Sequence, residues 1–307
     1  MSMSKNVKGA ILTTFGGACW GISGSVGQYL FDVQGMDSRW LVPLRLGIAG
    51  VVLLIWCLVR YGAELVIDPW KTKRNAAETV IYGLLGVSFC QFTYFLTIQL
   101  SSAAIGTILQ NTSPVFILAA GCLGRRKLPG KKQILSIVLA LAGVLCIATH
   151  GNLNSLSISP AAIVTGITSA FCVMIYNVIP ANLLKKYPVT LLQAWAFLMG
   201  GSFFALVFQS WKIHYVPNLI GILGVAFVVL VGNVLAFTSY IKGVNMIGPE
   251  KGILYSFAEP VTAAVISTTV LKSPFTIADA AGFLLIFMML VLISGKEKPE
   301  SANISAI

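Results

Sequence analysis

The chain is short of charge, and above all of acidic charge. Only 10% of its 307 residues are charged, with 10 Asp and Glu against 21 Lys and Arg, whereas soluble domains carry about 25%. It has two histidines, and no pair among its six cysteines has a metal-ligand spacing. No phosphate-binding loop or dinucleotide fingerprint is present. These absences argue against a soluble enzyme, a disulfide scaffold and an ATP-driven pump, and we expect no cofactor and no metal.

In place of charge the chain has long apolar segments. Hydrophobic residues make up 57% of it, and its mean hydropathy is +0.86. A helix that crosses the hydrocarbon core needs roughly 20 apolar residues. The sequence therefore predicts an all-α polytopic membrane protein with ten transmembrane helices. The predicted spans are residues 9–30, 39–59, 78–98, 103–123, 132–149, 160–183, 189–209, 217–241, 249–271 and 276–294.

Basic residues are concentrated on one side of the predicted membrane. With ten spans threaded, 17 of the 21 Lys and Arg fall on the side of the N-terminus, three fall on the other side, and Arg45 lies within a span. Cytoplasmic loops are enriched in Lys and Arg. This pattern predicts a multi-pass plasma-membrane protein, as in a bacterial inner membrane, with both termini in the cytoplasm. The net charge of +11 then faces anionic lipid headgroups and does not indicate nucleic acid.

The two halves of the chain repeat each other at a spacing of 146 residues. Five spans per half is an odd number, so the second half is expected to enter the membrane upside down relative to the first. We therefore predict two inverted five-helix repeats, residues 1–150 and 151–296, followed by a cytoplasmic tail, residues 297–307. The matched pairs are Tyr94 and Tyr240, Gly106 and Gly252, Pro114 and Pro260, and Ile147 and Ile293.

Two of the matched residues, Pro114 and Pro260, lie inside long apolar stretches. A proline there removes a helical hydrogen bond, and paired helix breaks in two halves mark the binding site of many transporters. Polar and aromatic residues at membrane depth are then candidates for contact with a small-molecule substrate. The candidates are Trp20, Gln91, Tyr94, Gln110, Asn111, Tyr176, Trp195, Asn233, Tyr255 and Ser256.

Two charged residues, Glu259 and Arg45, are predicted within the membrane. Burying such a charge costs about 2.5–3.5 kcal/mol on insertion scales, so each must face protein or water. Glu259 is either a coupling group that carries a proton or a structural anchor. Arg45 has three open interpretations: it extends to the nearby outer surface, it pairs with Glu259, or it holds an anionic group of the substrate.

Several stretches resemble the EamA branch of the drug/metabolite transporter superfamily. They are Gly17-Ala18-Cys19-Trp20-Gly21, Arg45, the segment from Ala103 to Pro114, and the segment from Gly248 to Pro260. The resemblance extends from about Lys8 to Lys296. It implies two inverted five-helix repeats and export of a small metabolite or amino acid through a cavity that opens alternately to each side.

The sequence thus favours a secondary active transporter, not an enzyme, that exports a small organic metabolite such as an amino acid. The alternative within transport is a multidrug or organic-cation exporter, for which Glu259 is the one carboxylate predicted at mid-span. A non-transporting membrane scaffold is a third hypothesis, but it leaves the paired prolines unexplained. The expected partners are the substrate, the lipid bilayer and protons as a candidate coupling ion, with the chain as a monomer or homodimer.

Overall fold

The computed structural model describes residues 4–125, 130–149, 158–178, 181–247, 252 and 255–294. All regular structure in these residues is helical, with no strand, in agreement with the predicted all-α class. We number the helices α1 (Lys5–Asp32), α2 (Ser38–Ile67), α3 (Lys73–Leu100), α4 (Ala103–Gln110), α5 (Ser113–Arg125), α6 (Lys131–Thr149), α7 (Pro160–Val178), α8 (Ala181–Lys186), α9 (Val189–Phe208), α10 (Leu219–Ile247), α11 (Ala258–Thr269) and α12 (Ile277–Ser294).

Within the described residues, six segments are long and apolar enough to cross a membrane. They are Ser38–Trp70, Lys73–Leu100, Ala103–Leu123, Pro160–Val178, Val189–Phe208 and Leu219–Ile247. The chain is therefore a polytopic helical membrane protein.

Short polar side chains set the starts of several helices. The side chains of Ser4, Thr72, Ser102 and Asn218 each accept a hydrogen bond from a backbone N–H in the first turn of the helix that follows. Such residues satisfy donors that have no partner within the helix. The requirement is strict near a bilayer, since no water reaches an unpaired backbone group in its interior.

Two helices change their winding at corresponding places. Residues Ile81–Ser88 of α3 and Val228–Leu235 of α10 form π-helix, and the two segments begin 147 residues apart. π-Helical segments are rare and are frequently found at functional sites. The spacing agrees with the sequence repeat to within one residue, although the sequence pattern gave no sign of the winding itself.

Two helices are also interrupted at corresponding places. Helix α4 ends at Gln110, a turn at Asn111 and Thr112 follows, and α5 begins at Ser113. In the second half a turn at Phe257 precedes α11. The turn residues Asn111 and Phe257 are 146 residues apart. Each stands three residues before the matched proline.

The helices pack as two bundles with a shared surround. Helix α1 runs along α10 and contacts α11, and we call these three the first bundle. Helix α7 packs on α3, α4 and α5, and we call these four the second bundle. Around them α2 packs on α9 and α6 packs on α12. When the two sequence halves are exchanged, α1–α10 corresponds to α7–α3 and α1–α11 to α7–α5, whereas α2–α9 and α6–α12 each correspond to themselves.

The predicted span 160–183 is described as two helices, α7 to Val178 and α8 from Ala181. Residues 179–180 between them lie outside the described residues. The start of the predicted span 249–271, the boundary at 150 and the tail 297–307 lie outside the described residues.

Candidate binding site

Arg45 of α2 is buried within the protein, at 1% exposure. Its guanidinium donates to the side-chain oxygens of Gln91 in α3 and Asn233 in α10, the latter at 3.2 Å. The guanidinium carbon also lies 3.6 Å from the centre of the Phe95 ring, close enough for a cation–π interaction. One buried cation therefore joins the two helices that contain π-helical segments.

This geometry overturns two of the three interpretations of Arg45. The side chain does not extend to the surface, and its partners are two amide oxygens and a ring rather than Glu259. Two buried donors in this cluster still have no partner, the Nε of Arg45 and the Nδ2 of Asn233. A buried unpaired donor costs roughly 1–3 kcal/mol, so the cluster is chemically suited to receive an oxygen-bearing ligand.

Glu259, in the first turn of α11, is half-buried. Among the described residues its carboxylate has no hydrogen bond and no ion pair. It lies near enough to interact electrostatically with Tyr94, Tyr176 and Tyr240. The ring of Tyr240 in turn lies 5.0 Å from the ring of Trp20. Among the described residues the carboxylate is thus unpaired, and three tyrosines, from α3, α7 and α10, lie within electrostatic range of it.

Glycines on α1 bring these groups together. A methyl group added at Gly17 would lie 2.8 Å from the carbonyl oxygen of Ser256, and one at Gly24 would lie 2.8 Å from the hydroxyl of Tyr94. A methyl at Gly21 would collide with the backbone of Glu259. Small residues allow such close approach of helices in membranes. Gly17, Gly21 and Gly24 are spaced by four and three residues and so lie on one face of α1, and the glycine-rich first span therefore brings Glu259 and Tyr94 to the same side of the helix.

The polar residues at the first helix break are held by the protein. The amide nitrogen of Gln110 donates to Ser169 of α7 at 2.8 Å and to the Cys90 sulfur at 3.2 Å. The amide nitrogen of Asn111 donates to the carbonyl of Thr107 in its own helix at 2.7 Å. These donors stabilise the break and are not free for a ligand in this arrangement.

Two of the remaining candidates, Tyr94 and Tyr176, belong to the cluster. Tyr94 is buried, and its hydroxyl shares a hydrogen bond with that of Thr107 at 3.0 Å. Tyr176 is half-buried, and its ring lies 6.4 Å from the ring of Tyr82. Tyr255 is 43% exposed, and the backbone of Ser256 lies against α1.

Trp195 does not reach the cluster. Its indole donates to the carbonyl of Val66 at 2.9 Å and its ring lies 5.2 Å from that of Trp70. Val66 is 21 residues beyond Arg45 in α2, on the far side of the kink at Gly62, whose φ of 81° is not helical. The expectation that Trp195 contacts the substrate is therefore corrected, because its indole N–H is bonded to Val66 and α9 is too largely apolar for its sequence to show which face points inward.

Sequence reasoning identified Tyr240 as the repeat partner of Tyr94 but missed three other members of the cluster, namely Phe95, Cys90 and Ser169. Phe95 could not have been found, because one phenylalanine in an apolar span gives no signal of a nearby cation. The described residues contain no group of three His, Cys, Asp or Glu that could hold a metal ion.

The arrangement offers an amine-binding group beside oxygen-binding groups. An unpaired carboxylate with aromatic faces around it suits an ammonium group. The free donors of Arg45 and Asn233 suit a carboxylate or carbonyl oxygen. Arg45 and Glu259 both interact electrostatically with Tyr94, so the two kinds of group border one region.

The family model described as the EamA-like transporter family matches residues 7–149 and, separately, residues 160–295. A protein from Salmonella typhimurium, the uncharacterized inner membrane transporter YicL, is 33% identical over 292 residues, covering 95% of this chain and 97% of that protein. The uncharacterized transporter YyaM of Bacillus subtilis is 24% identical and covers 82% of each chain.

A third relative, the uncharacterized inner membrane transporter YedA of Escherichia coli K12, is 26% identical over 77% of this chain and 74% of its own length. Among solved structures, one crystal structure of a protein superposes with a TM-score of 0.60 over 94% of this chain and 95% of its own. That protein is 16% identical to this chain, so the likeness concerns the fold alone.

Proposed function

This chain belongs to the EamA-like transporter family, and from that premise we propose that it is a secondary active transporter that exports a small amine-bearing metabolite such as an amino acid. The observation that carries the proposal is Glu259. It is a carboxylate without a basic partner among the described residues, beside a helix break and facing Tyr94, Tyr176 and Tyr240.

The proposed architecture is ten spans arranged as two inverted five-helix repeats. Three features support it. The family model matches each half of the chain separately, the π-helical segments and helix breaks recur at 147 and 146 residues, and helix pairings map onto one another when the halves are exchanged. Inverted repeats place the substrate site near the midplane between them.

We propose that the amine of the substrate binds Glu259 between the aromatic rings of Trp20, Tyr94 and Tyr240. Its carboxylate or other oxygen group takes the free donors of Asn233 and Arg45. The other amides, Gln91, Gln110 and Asn111, shape the wall, because each is hydrogen-bonded to protein atoms.

A proton is the proposed coupling ion. A carboxylate in a site of low polarity can hold either a proton or a cationic substrate, and occupancy by one excludes the other. Such competition couples outward movement of the amine to inward movement of a proton. Both termini are proposed to lie in the cytoplasm on the basis of the charge distribution in the loops.

A second candidate is an exporter of organic cations without a carboxylate. The aromatic surround of Glu259 favours it, since quaternary ammonium groups bind aromatic faces well. The free donors of Arg45 and Asn233 speak against it, because a pure cation would leave them unpaired.

The test is a thermal-shift screen of purified protein. A ligand of the folded state raises the melting temperature by mass action. We expect amino acids to raise it, and matched acids that lack the amine to have no effect. Stabilisation by quaternary cations alone would select the second candidate. A compound that raises the melting temperature should then show saturable counterflow in proteoliposomes. Solute movement that does not saturate and does not depend on that compound would contradict a carrier.

A further inference from the structure

We propose that Gln28 is the latch of a gate that closes one end of the transport path, and that the described arrangement is open toward the cytoplasm. This inference rests on the proposed carrier function. Gln28 is 1% exposed and lies in the last turn of α1. The end of the bundles at which it lies is called the Gln28 end.

The side-chain amide of Gln28 uses its full bonding capacity. Its nitrogen donates to Asp32 at 3.1 Å and to Ser273 at 2.7 Å. Its oxygen accepts from the backbone N–H of Ala103 at 2.9 Å and from the hydroxyl of Ser267 at 3.0 Å. An amide has two donor hydrogens and two acceptor sites, so none is left over.

These four bonds join elements from both bundles. Ala103 is the first residue of α4 in the second bundle, whereas Ser267 belongs to α11 in the first bundle. The bond to Ala103 also satisfies one of the N-terminal donors of α4, which has no partner within its helix. Separating the bundles here breaks this bond and uncovers a buried backbone N–H.

Neighbours along α1 show where the bundles meet. Methyl groups built at Gly9, Gly16, Gly17 and Gly21 would touch only first-bundle helices or the residues that lead into α11. Those built at Gly24 and Gly27 would touch Tyr94 and Phe95 of the second bundle. The switch falls between Gly21 and Gly24, so α1 contacts the second bundle only toward the Gln28 end.

The second bundle has the matching pattern. Helix α4, at the Gln28 end, packs on both α1 and α11. Helix α5, beyond the break, packs chiefly on α7 and α6 within the described part of the chain. Among the described residues, the contacts between the bundles therefore lie toward the Gln28 end, and the proposal opens the path at the end that carries the N-terminus, which the loop charges place in the cytoplasm.

Opening toward the outside then requires the hydrogen bond between Gln28 and Ala103 to break. Water that enters the opened path replaces this bond, so the free-energy cost of opening is small enough for the step to be reversible.

Accessibility of one buried position tests the latch without any substrate. In a cysteine-free background, Ala104→Cys puts a thiol at a position of α4 that is 2% exposed. We expect it to react slowly with a membrane-impermeant maleimide. Adding Gln28→Leu should raise the reaction rate by about tenfold or more, because the hydrogen bond that joins the two bundles is lost and the buried N–H of Ala103 is left unpaired in the closed state. The control Gln34→Leu removes a half-buried glutamine whose side chain bonds to Tyr29 in the same segment, and should leave the rate unchanged.

A folded Gln28→Leu protein that reacts at the wild-type rate would overturn the proposal. If that variant does not fold, Gln28→Met carries the test, since it keeps an unbranched side chain but removes the acceptor for the N–H of Ala103; a several-fold rise supports the latch and an unchanged rate refutes it. The readout is independent of transport. If Gln28→Leu raises the labelling rate but no ligand raises the melting temperature, the latch stands and the proposed function fails. If ligands raise the melting temperature but Gln28→Leu leaves the labelling rate unchanged, the proposed function stands and the latch fails.

Discussion

The two helix breaks have the same backbone position but different chemistry. At the first, around Asn111, the amide donors of Gln110 and Asn111 are bonded to protein atoms. At the second, around Phe257, the neighbouring Glu259 has no bonded partner among the described residues. Duplication explains the shared geometry, and the difference indicates a division of roles. The first break is a stable wall, and the second presents the group that binds.

The largest expected effect follows from removing the charge at the second break. Glu259→Gln keeps the shape of the side chain but can neither bind an ammonium group as an ion nor exchange a proton. We expect concentrative transport in vesicles to fall at least about 100-fold while the protein accumulates normally, since a bond to a charged group is worth about 1.5–3 kcal/mol. Wild-type accumulation by a well-folded variant would remove Glu259 from the mechanism.

Arg45 should affect stability more than specificity. Arg45→Met leaves the side-chain oxygens of Gln91 and Asn233 without their buried partner, and we expect a loss of about 1.5–3 kcal/mol in the free energy of unfolding. The measurement is the detergent melting curve of the purified variant. Arg45→Lys is the matched control, and it should recover only part of the loss because lysine lacks the planar fork. Unchanged melting of Arg45→Met would mean that the cluster contributes nothing to folding.

Substituting the two prolines should lower the transport rate to different extents at the two breaks. Replacing proline with alanine restores a backbone donor and allows the helix to straighten. We expect Pro260→Ala to lower the transport rate about tenfold, because it moves Glu259, and Pro114→Ala to lower it less. Membrane abundance, measured by immunoblot, should stay near wild type for both. Equal effects of the two substitutions would argue against a division of roles.

The smallest effect is expected for a carboxylate that is exposed and already paired. Asp37 caps α2 and forms an ion pair with Arg39 at 2.7 Å. The hydrogen bond from Arg39 holds the pKa of Asp37 below its usual 3.8, against partial burial, which acts in the opposite direction. Its stabilising contribution is therefore present above about pH 4 and is lost as the pH falls through the lowered pKa.

Asp37→Asn keeps the cap and removes only the ion pair, which at an exposed site is worth a few tenths of a kcal/mol. The difference in melting temperature between wild type and variant should be small at pH 7 and should vanish in acid. A melting-temperature difference that grows as the pH falls would contradict the lowered pKa of Asp37. A large difference at pH 7 would contradict the contrast drawn here between the paired carboxylate of Asp37 and the unpaired carboxylate of Glu259.

The features that could be predicted from the sequence are those set by local composition and by the internal repeat. Apolar segment length gave the helical class, and the matched prolines fell three residues after turns in both halves. The partners of Arg45 could not be predicted, because Gln91 and Asn233 are 46 and 188 residues away in the chain. The π-helical segments were missed as well, since an apolar run has the same composition in either winding. Trp195 was placed wrongly because α9 has no polar face to orient it.

The affinity of one ligand for two matched variants tests the division of roles most directly. With the amino acid that gives the largest thermal shift, the dissociation constants of Glu259→Gln and Gln110→Leu are measured by calorimetry beside wild type. We predict a loss of about 10- to 100-fold for Glu259→Gln and a change within about threefold for Gln110→Leu. A larger loss for Gln110→Leu than for Glu259→Gln would contradict the account, because binding would then depend on the break assigned here as the wall.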